Sequence, residues 1–220
     1  MIHKEYKTEL TGVRYLSAAT YEASFTRPKN FSFLPGQRIR FSAKTIQRDY
    51  TIVSGPQDDR ITLCIHHIKD GKFSGIFAST TPGTQFMFTG PHGYFRYFPS
   101  DDQAVFIATG TGIAPFVSFV HDHVRGFILL HGITGPSEQY YKEQLISAAS
   151  LYIPCFSSRL PDRQNTSAGF HGRVTRYLEK NLPSGKYHFY LCGSAGMIAD
   201  SLPIIDERFP ESKVFIESYA

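Results

Sequence analysis

Several short stretches place chemically capable residues at spacings that simple packing does not require. RDYTIVSGP, residues 48 to 56, reads as a strand running into a turn, yet it alternates a fixed cation, a phenol and a hydroxyl. Side chains alternate across a strand, so Arg48 and Tyr50 share one face while Thr51 points the other way. TGTGIAPF, residues 109 to 116, ends a buried apolar run at Thr109 and opens a helix. Gly110 and Gly112, either side of Thr111, let backbone approach a ligand, and the free N–H groups of a helix start suit phosphate. Pro115 stands where the usual dinucleotide fingerprint has a third glycine. The acidic residue expected about 20 positions on is missing, because that stretch reads LLHGIT. The turn is therefore not a standard ribose-reading site. In YLCGSAGMI, residues 190 to 198, a strand again ends in Cys192-Gly193 before a helix carrying Met197. A lone cysteine there also serves as a small buried hydrophobe. Glu217 and Tyr219 share a face of the last strand, and a carboxylate near the end of an apolar strand is either solvent-facing or functional.

Other chemistries are disfavoured. His66-His67 lie on opposite faces of a strand, and His121-x-His123 diverge on a helix, so neither pair shares a metal and no metal site is expected. The three cysteines, Cys64, Cys155 and Cys192, lack CxxC spacing and form no zinc, iron–sulfur or disulfide framework. They suit a reducing compartment, and the N-terminus has no apolar signal core, so a cytoplasmic protein is expected. No apolar run approaches the ~20 residues of a membrane span. The formal charge of +4 comes without a Lys/Arg run, which argues against nucleic acid but suits an acidic partner or a phosphate-bearing ligand.

These residues must be held by two kinds of architecture. Up to about residue 98 the chain shows short alternating runs broken by Gly/Pro turns: KTELTGVRYL, TYEASFT, QRIRFSA, RDYTIVS, ITLCIHHI and TQFMFTG. That pattern predicts an antiparallel β-barrel, with one short helix at SGIFAST, residues 74 to 80. From residue 103 strands alternate with helices. AVFIAT, GFILLHG, LYIPCFSS, YHFYLCG and KVFIESY read as strands. IAPFVSFVHDHV, PSEQYYKEQLISAA (with Ser137 as a possible cap), GRVTRYLEKNL and AGMIADSLPIIDERF read as helices. Alternation over five strands predicts a Rossmann-like parallel α/β domain. The expected domains are 1–98, an antiparallel β-barrel, and 103–220, a nucleotide-binding α/β domain, joined at FPSDDQ. Ligands in open α/β sheets sit beyond the carboxyl ends of the strands, where these motifs fall.

Taken in order, the motifs resemble those of the ferredoxin–NADP(H) reductase superfamily. Arg48-x-Tyr50-Thr51 resembles its flavin motif Arg-x-Tyr-Ser/Thr. Gly71-Lys72-Phe73-Ser74 resembles its Gly-x-x-Ser/Thr phosphate turn, and Gly90-Pro91-x-Gly93-x-Phe95 its segment at the barrel exit. Gly110-Thr111-Gly112-Ile113-Ala114-Pro115 and Cys192-Gly193-x-x-x-Met197 resemble its nicotinamide motifs. Glu217-x-Tyr219 resembles its C-terminal acid and aromatic. The resemblance spans nearly the whole chain and implies an enzyme using FAD, in preference to FMN, with the 1–98 barrel as its FAD-binding domain. It implies that Arg48 pairs with the pyrophosphate, that Tyr50 packs on the flavin, and that Thr51 hydrogen-bonds the flavin N5 edge. It places Ile65, His66 and Ile68 beside the ribityl and phosphate, with Lys72, Phe73 and Ser74 in the phosphate turn. Thr51, Cys192, Glu217 and Tyr219 would be catalytic, with Tyr219 stacking on the flavin and yielding to nicotinamide. The chain departs from the pattern in carrying threonine at position 51, where many relatives have serine.

For the nucleotide, Ser158-Arg159, with Arg163 and Arg173 nearby, resembles the Ser-Arg of relatives that prefer a 2′-phosphate, and arginine pairs well with phosphate. NADPH is expected over NADH, although no Lys-x-Tyr clamp follows and Asp162 opposes. The expected acceptor is a separate ferredoxin or flavodoxin-type carrier. The alternatives are a free-flavin, quinone or oxygenase-component reductase and, from another class, a non-catalytic flavin- or nucleotide-binding regulatory module.

Overall fold

The computed structural model describes residues 4–43, 46–69, 71, 73–158 and 169–219. In the N-terminal part, apolar residues at every second position drive strand formation. The elements are β1 (Glu5–Tyr15), β2 (Thr20–Thr26), β3 (Arg38–Ala43), β4 (Ile46–Thr51), β5 (Arg60–His66), α1 (Ser74–Ser79) and β6 (Gln85–His92). They form one six-stranded antiparallel sheet in the order β4-β3-β6-β1-β2-β5. An Ile52↔Leu63 bridge and a 2.8 Å bond from the Val53 N–H to the Thr62 carbonyl tie the two ends together, so the sheet curls into the expected barrel. Its interior is dominated by phenylalanine. Phe25, Phe41, Phe77 and Phe88 are almost fully buried and meet in edge and tilted ring contacts.

The remaining elements are β7 (Gln103–Thr109), a 3-10 turn (Gly110–Ile113), α2 (Ala114–His121), β8 (Ile128–Ile133), a 3-10 turn (Pro136–Glu138), α3 (Lys142–Ala148) and β9 (Leu151–Phe156). β10 (Phe170–His171), α4 (Val174–Lys180), β11 (Tyr187–Ser194), α5 (Ala195–Arg208) and β12 (Lys213–Tyr219) follow. The strands form a parallel sheet in the order β10-β9-β8-β7-β11-β12. β7 and β11 lie inside the sheet, which is why AVFIAT and YHFYLCG carry continuous apolar runs rather than alternation.

The chain forms two compact units. One comprises Met1–Tyr97 with Ala114–His123, the other Phe98–Ile113 with Val124–Ala220. Thus α2 packs with the barrel. Phe119 stacks on Phe95 at 5.9 Å, and Ser118 Oγ donates to the Ser54 carbonyl at 3.0 Å.

Three elements differ from the sequence expectation. The parallel sheet has a sixth strand, β10, whose two residues are too few to show a period. The helix expected over PSEQYYKEQLISAA is broken, because Tyr141 adopts a left-handed conformation (φ 59°) and α3 begins only after it. Ser137 therefore lies in the 3-10 turn and caps no helix. α2 stops at His121 rather than continuing to Val124, and His123 is also left-handed (φ 68°). Among the described residues no helix is long and apolar enough to cross a membrane.

Candidate active site

In the barrel unit the candidate residues gather on β4 and on the loop entering α1. Arg48 and Tyr50 are register partners of Phe41 and Ile39, so they project on the face that elsewhere fills the barrel. Arg48 remains exposed and donates to its neighbour's Gln47 carbonyl at 2.8 Å. Tyr50 is half-buried, with its ring 6.1 Å from Phe73 and 5.9 Å from Phe77, and burial pushes its phenol well above the ordinary tyrosine range. Thr51 projects to the other face and is buried. The alternation expected for RDYT is therefore present.

The residue between them does more than space them. Asp49 receives two bonds from Arg40 on β3, Nε to Oδ1 at 2.5 Å and a second guanidinium nitrogen to Oδ2 at 2.8 Å. Arg38 Nε lies 3.0 Å from Asp49 Oδ2. Burial raises the Asp49 carboxyl, but Arg40, Arg38 and His92 overcome it and hold the group below the usual carboxylate range. Position 49 is the unspecified x of Arg48-x-Tyr50-Thr51, so the motif assigns Asp49 no role. The alternation Arg38-x-Arg40 on the preceding strand was the available signal.

After β5 the chain turns sharply. Gly71 N–H donates to the Ile68 carbonyl at 2.9 Å, and Ile68 N–H donates to Ser74 Oγ at 3.0 Å. The Ser74 hydroxyl thus pins the loop, and the Tyr21 hydroxyl holds the Ser74 carbonyl from below. A Cβ at Gly71 would come within 2.8 Å of the Ile68 carbonyl, so glycine is needed for the close turn. Ile65 and Phe73 are core residues, whereas His66 and Ile68 are exposed, with His66 Nδ1 3.2 Å from Thr20 Oγ1. Lys72 lies outside the described residues.

In the second unit the turn after β7 meets the end of β11. Thr109 Oγ1 accepts from the Ser194 N–H at 3.0 Å. Gly193 has φ +138°, and a Cβ there would collide with Thr109 Oγ1. A Cβ on Gly112 would likewise strike the Cys192 carbonyl. Two glycines thus let two strand ends interlock. Gly110 is different: its φ is +52° and no atom lies within 4 Å of a built Cβ, so the backbone there is open to a ligand. Thr111 is partly exposed, and Pro115 is buried in the first turn of α2. Ser194 caps α5, accepting from the Met197 N–H at 3.3 Å, while the Met197 side chain packs in the apolar core.

On β11 and β12, Cys192 is the register partner of Glu217, and Ser194 of Tyr219. Cys192 is fully buried and Glu217 is only 8 % exposed. Burial pushes the Cys192 thiol far up, a hydrogen bond from Tyr219 opposes this, and the Glu217 charge reinforces it. The thiol is therefore protonated at neutral pH.

The LLHGIT stretch, which lacks the usual acidic residue, carries a buried histidine instead. His131, at the carboxyl end of β8 beside Ala108 of β7, has its Nδ1 3.1 Å from the Tyr152 hydroxyl. Burial pushes it down to about 4, with the Gly110 backbone opposing. Ser158 is half-buried and its hydroxyl donates to the Thr134 carbonyl. Arg159, Asp162 and Arg163 lie outside the described residues, and Arg173 is exposed just before α4.

The family model of the oxidoreductase FAD-binding domain matches residues 7–97, and that of the oxidoreductase NAD-binding domain matches residues 106–202. The chain is 28% identical over 204 residues to the chloroplastic ferredoxin–NADP reductase of Chlamydomonas reinhardtii, covering 74% of this chain and 58% of that one. The chain belongs to the ferredoxin–NADP(H) reductase superfamily. A 2-halobenzoate 1,2-dioxygenase electron transfer component from Burkholderia cepacia is 34% identical over 178 residues, 76% of this chain and 52% of that one. This superfamily member therefore spans little more than half the length of these curated relatives. A ferredoxin NADP+ reductase structure from Neisseria gonorrhoeae, with bound FAD and NADP, shares the reductase-superfamily fold at TM-score 0.84. It is 21% identical, with 98% of each chain covered.

Proposed function

We propose that the protein is a flavoprotein reductase that moves electrons between NAD(P)H and a separate one-electron acceptor, a ferredoxin or flavodoxin-type carrier. The observation that carries this reading is the buried Cys192–Glu217 pair, with the half-buried Tyr219 bonded to the thiol, at the carboxyl ends of β11 and β12. A module that only bound nucleotide would need the phosphate turns but not this thiol, acid and phenol together.

FAD, when bound, supplies hydride acceptance at N5 and the conversion to single-electron transfer. The chain supplies the binding and positioning groups. Arg48 offers its exposed guanidinium to the pyrophosphate, and the half-buried Tyr50 ring offers an apolar face to the flavin. Thr51 presents a hydroxyl to the N5 edge. The backbone of Ile65, His66 and Ile68 would run beside the ribityl and phosphate, and Lys72, Phe73 and Ser74 would hold the phosphate end. In the second unit, Thr109, Gly110, Thr111, Gly112 and Pro115 receive the nucleotide phosphates, and Gly193 and Met197 shape the opposite wall. Ser158 and Arg159 read a 2′-phosphate, which favours NADPH over NADH. Cys192 keeps its proton at Sγ and gives the nicotinamide a neutral, polarisable neighbour. Glu217 would set the local field, and the Tyr219 ring would stack on the flavin and yield its place to nicotinamide. Three buried free cysteines support a cytoplasmic working compartment.

The relatives named as oxygenase electron transfer components favour a second reading, in which the acceptor is the terminal component of an oxygenase. Both readings meet one experiment. Protein reconstituted with FAD is titrated anaerobically with NADPH and with NADH while its visible flavin absorbance is followed. Bleaching by NADPH at lower concentration than by NADH is expected, and failure to bind flavin would sink the reading. Tyr219→Ser is expected to change nucleotide affinity and the rate of flavin reduction; unchanged values would remove the stacking role.

A further inference from the structure

The strand that carries Arg48, Tyr50 and Thr51 is one of the two end strands of its sheet, and the contacts that close the barrel fall just beyond it, at Ile52 and Val53. β4 stands last in the strand order, and its ladder from Ile46 to Thr51 runs to β3 alone. An edge strand held from one side is free to slip or peel, and a slip of one residue would exchange its two faces. Arg48 and Tyr50 would then turn outward and Asp49 inward. A specific contact on the outer face would oppose that slip along β4 itself, in addition to the Ile52↔Leu63 bridge beyond its end.

Asp49 is placed to do so. It stands directly opposite Arg40 in the β3–β4 ladder, and the two meet through a two-pronged contact at 2.5 and 2.8 Å. Arg38, the register partner of Thr51, reaches diagonally to the same carboxylate at 3.0 Å. The clamp therefore ties the residue between Arg48 and Tyr50 to two positions of the neighbouring strand. A planar guanidinium meeting both carboxylate oxygens tolerates little displacement, so it specifies register as well as adding attraction. A one-residue slip would leave Asp49 opposite an apolar residue on either side, Ile39 or Phe41.

We propose that Asp49 is a positioning residue for the flavin strand: clamped by Arg40 and Arg38 on the outer face of the barrel, it fixes β4 so that Arg48 and Tyr50 are presented to FAD. This rests on the flavin reading above. It assigns a role to the unspecified position of the Arg-x-Tyr-Thr sequence and to the arginines of β3.

The test uses the full chain with and without FAD. Asp49→Asn is expected to speed hydrogen exchange of the β4 amides in cofactor-free protein and to raise the FAD dissociation constant about fivefold or more. Glu22→Gln serves as control. It removes the partner of Arg14 in another cross-strand pair of the same barrel, at 2.6 Å between β1 and β2, and is expected to leave FAD affinity unchanged. The swapped pair Arg40→Asp with Asp49→Arg is expected to recover at least half of the lost affinity. Wild-type protein that binds FAD while Asp49→Asn binds it equally well would overturn the proposal alone. Equal weakening by Glu22→Gln, or no recovery in the swap, would reduce Asp49 to general barrel stability. Wild-type protein that binds no FAD would sink the flavin reading and this proposal with it.

Discussion

At the scale of the residue, burial decides protonation state, and protonation state decides what a group can do. His131 is driven down to about 4 from an ordinary value of 6.5 because its imidazole is wholly enclosed. The unfolded chain therefore binds this proton more readily than the folded one between those values. Stability contributed by the neutral ring is complete above about pH 6.5 and is lost as pH falls toward 4, by about 3 kcal/mol at most. Urea unfolding from pH 4 to 7 is expected to show a shallower pH dependence in His131→Gln than in the parent chain. Gly193 makes a different demand. Its positive φ and its collision course with Thr109 Oγ1 predict that Gly193→Ala costs about 2 kcal/mol or more and weakens NADP+ binding, both measurable by denaturation and calorimetry. The sequence revealed the alternation of Arg48, Tyr50 and Thr51 because side-chain direction follows from strand period alone. It did not reveal Asp49 or His131. What matters about those two is the neighbour brought across a ladder, and no local pattern specifies that neighbour.

At the scale of the element, most strands and helices read correctly, the short α1 included, and the differences lie at helix ends and in a two-residue strand. β7 and β11 were legible because an interior parallel strand needs apolar residues on both faces. The two-residue β10 and the broken segment before α3 were not, because φ at Tyr141 is set by the surrounding chain rather than by a turn-forming residue type. α2 was legible as a helix, but its packing was not. Its Ser118 hydroxyl bonds a buried carbonyl of Ser54 in the strand-end turn that follows Thr51. Ser118→Ala leaves that carbonyl without this donor and is expected to cost about 1–2 kcal/mol in chemical denaturation, against little change for Ser147→Ala, whose hydroxyl bonds its own exposed helix.

At the scale of the whole molecule, compactness follows packing rather than chain order. Residues 114–123 belong to the barrel unit although they follow the first strand of the parallel sheet. Expressed alone, residues 103–220 would carry α2 without Phe95 and Ser54, uncovering Phe116 and Phe119, whose rings meet Phe95. Such a fragment is expected to bind a hydrophobic dye and to aggregate at concentrations where the full chain stays in solution. By itself the sequence determined the order of most strands and helices and the barrel and parallel-sheet classes. Periodicity and turn chemistry are local properties, written along the chain. Only the tertiary structure decided that Asp49 is clamped from the neighbouring strand, that His131 is enclosed, that two glycines let the ends of β7 and β11 interlock, and that α2 sides with the barrel. Each of these depends on which distant residues share a volume, and hydrophobic burial fixes that for the chain as a whole.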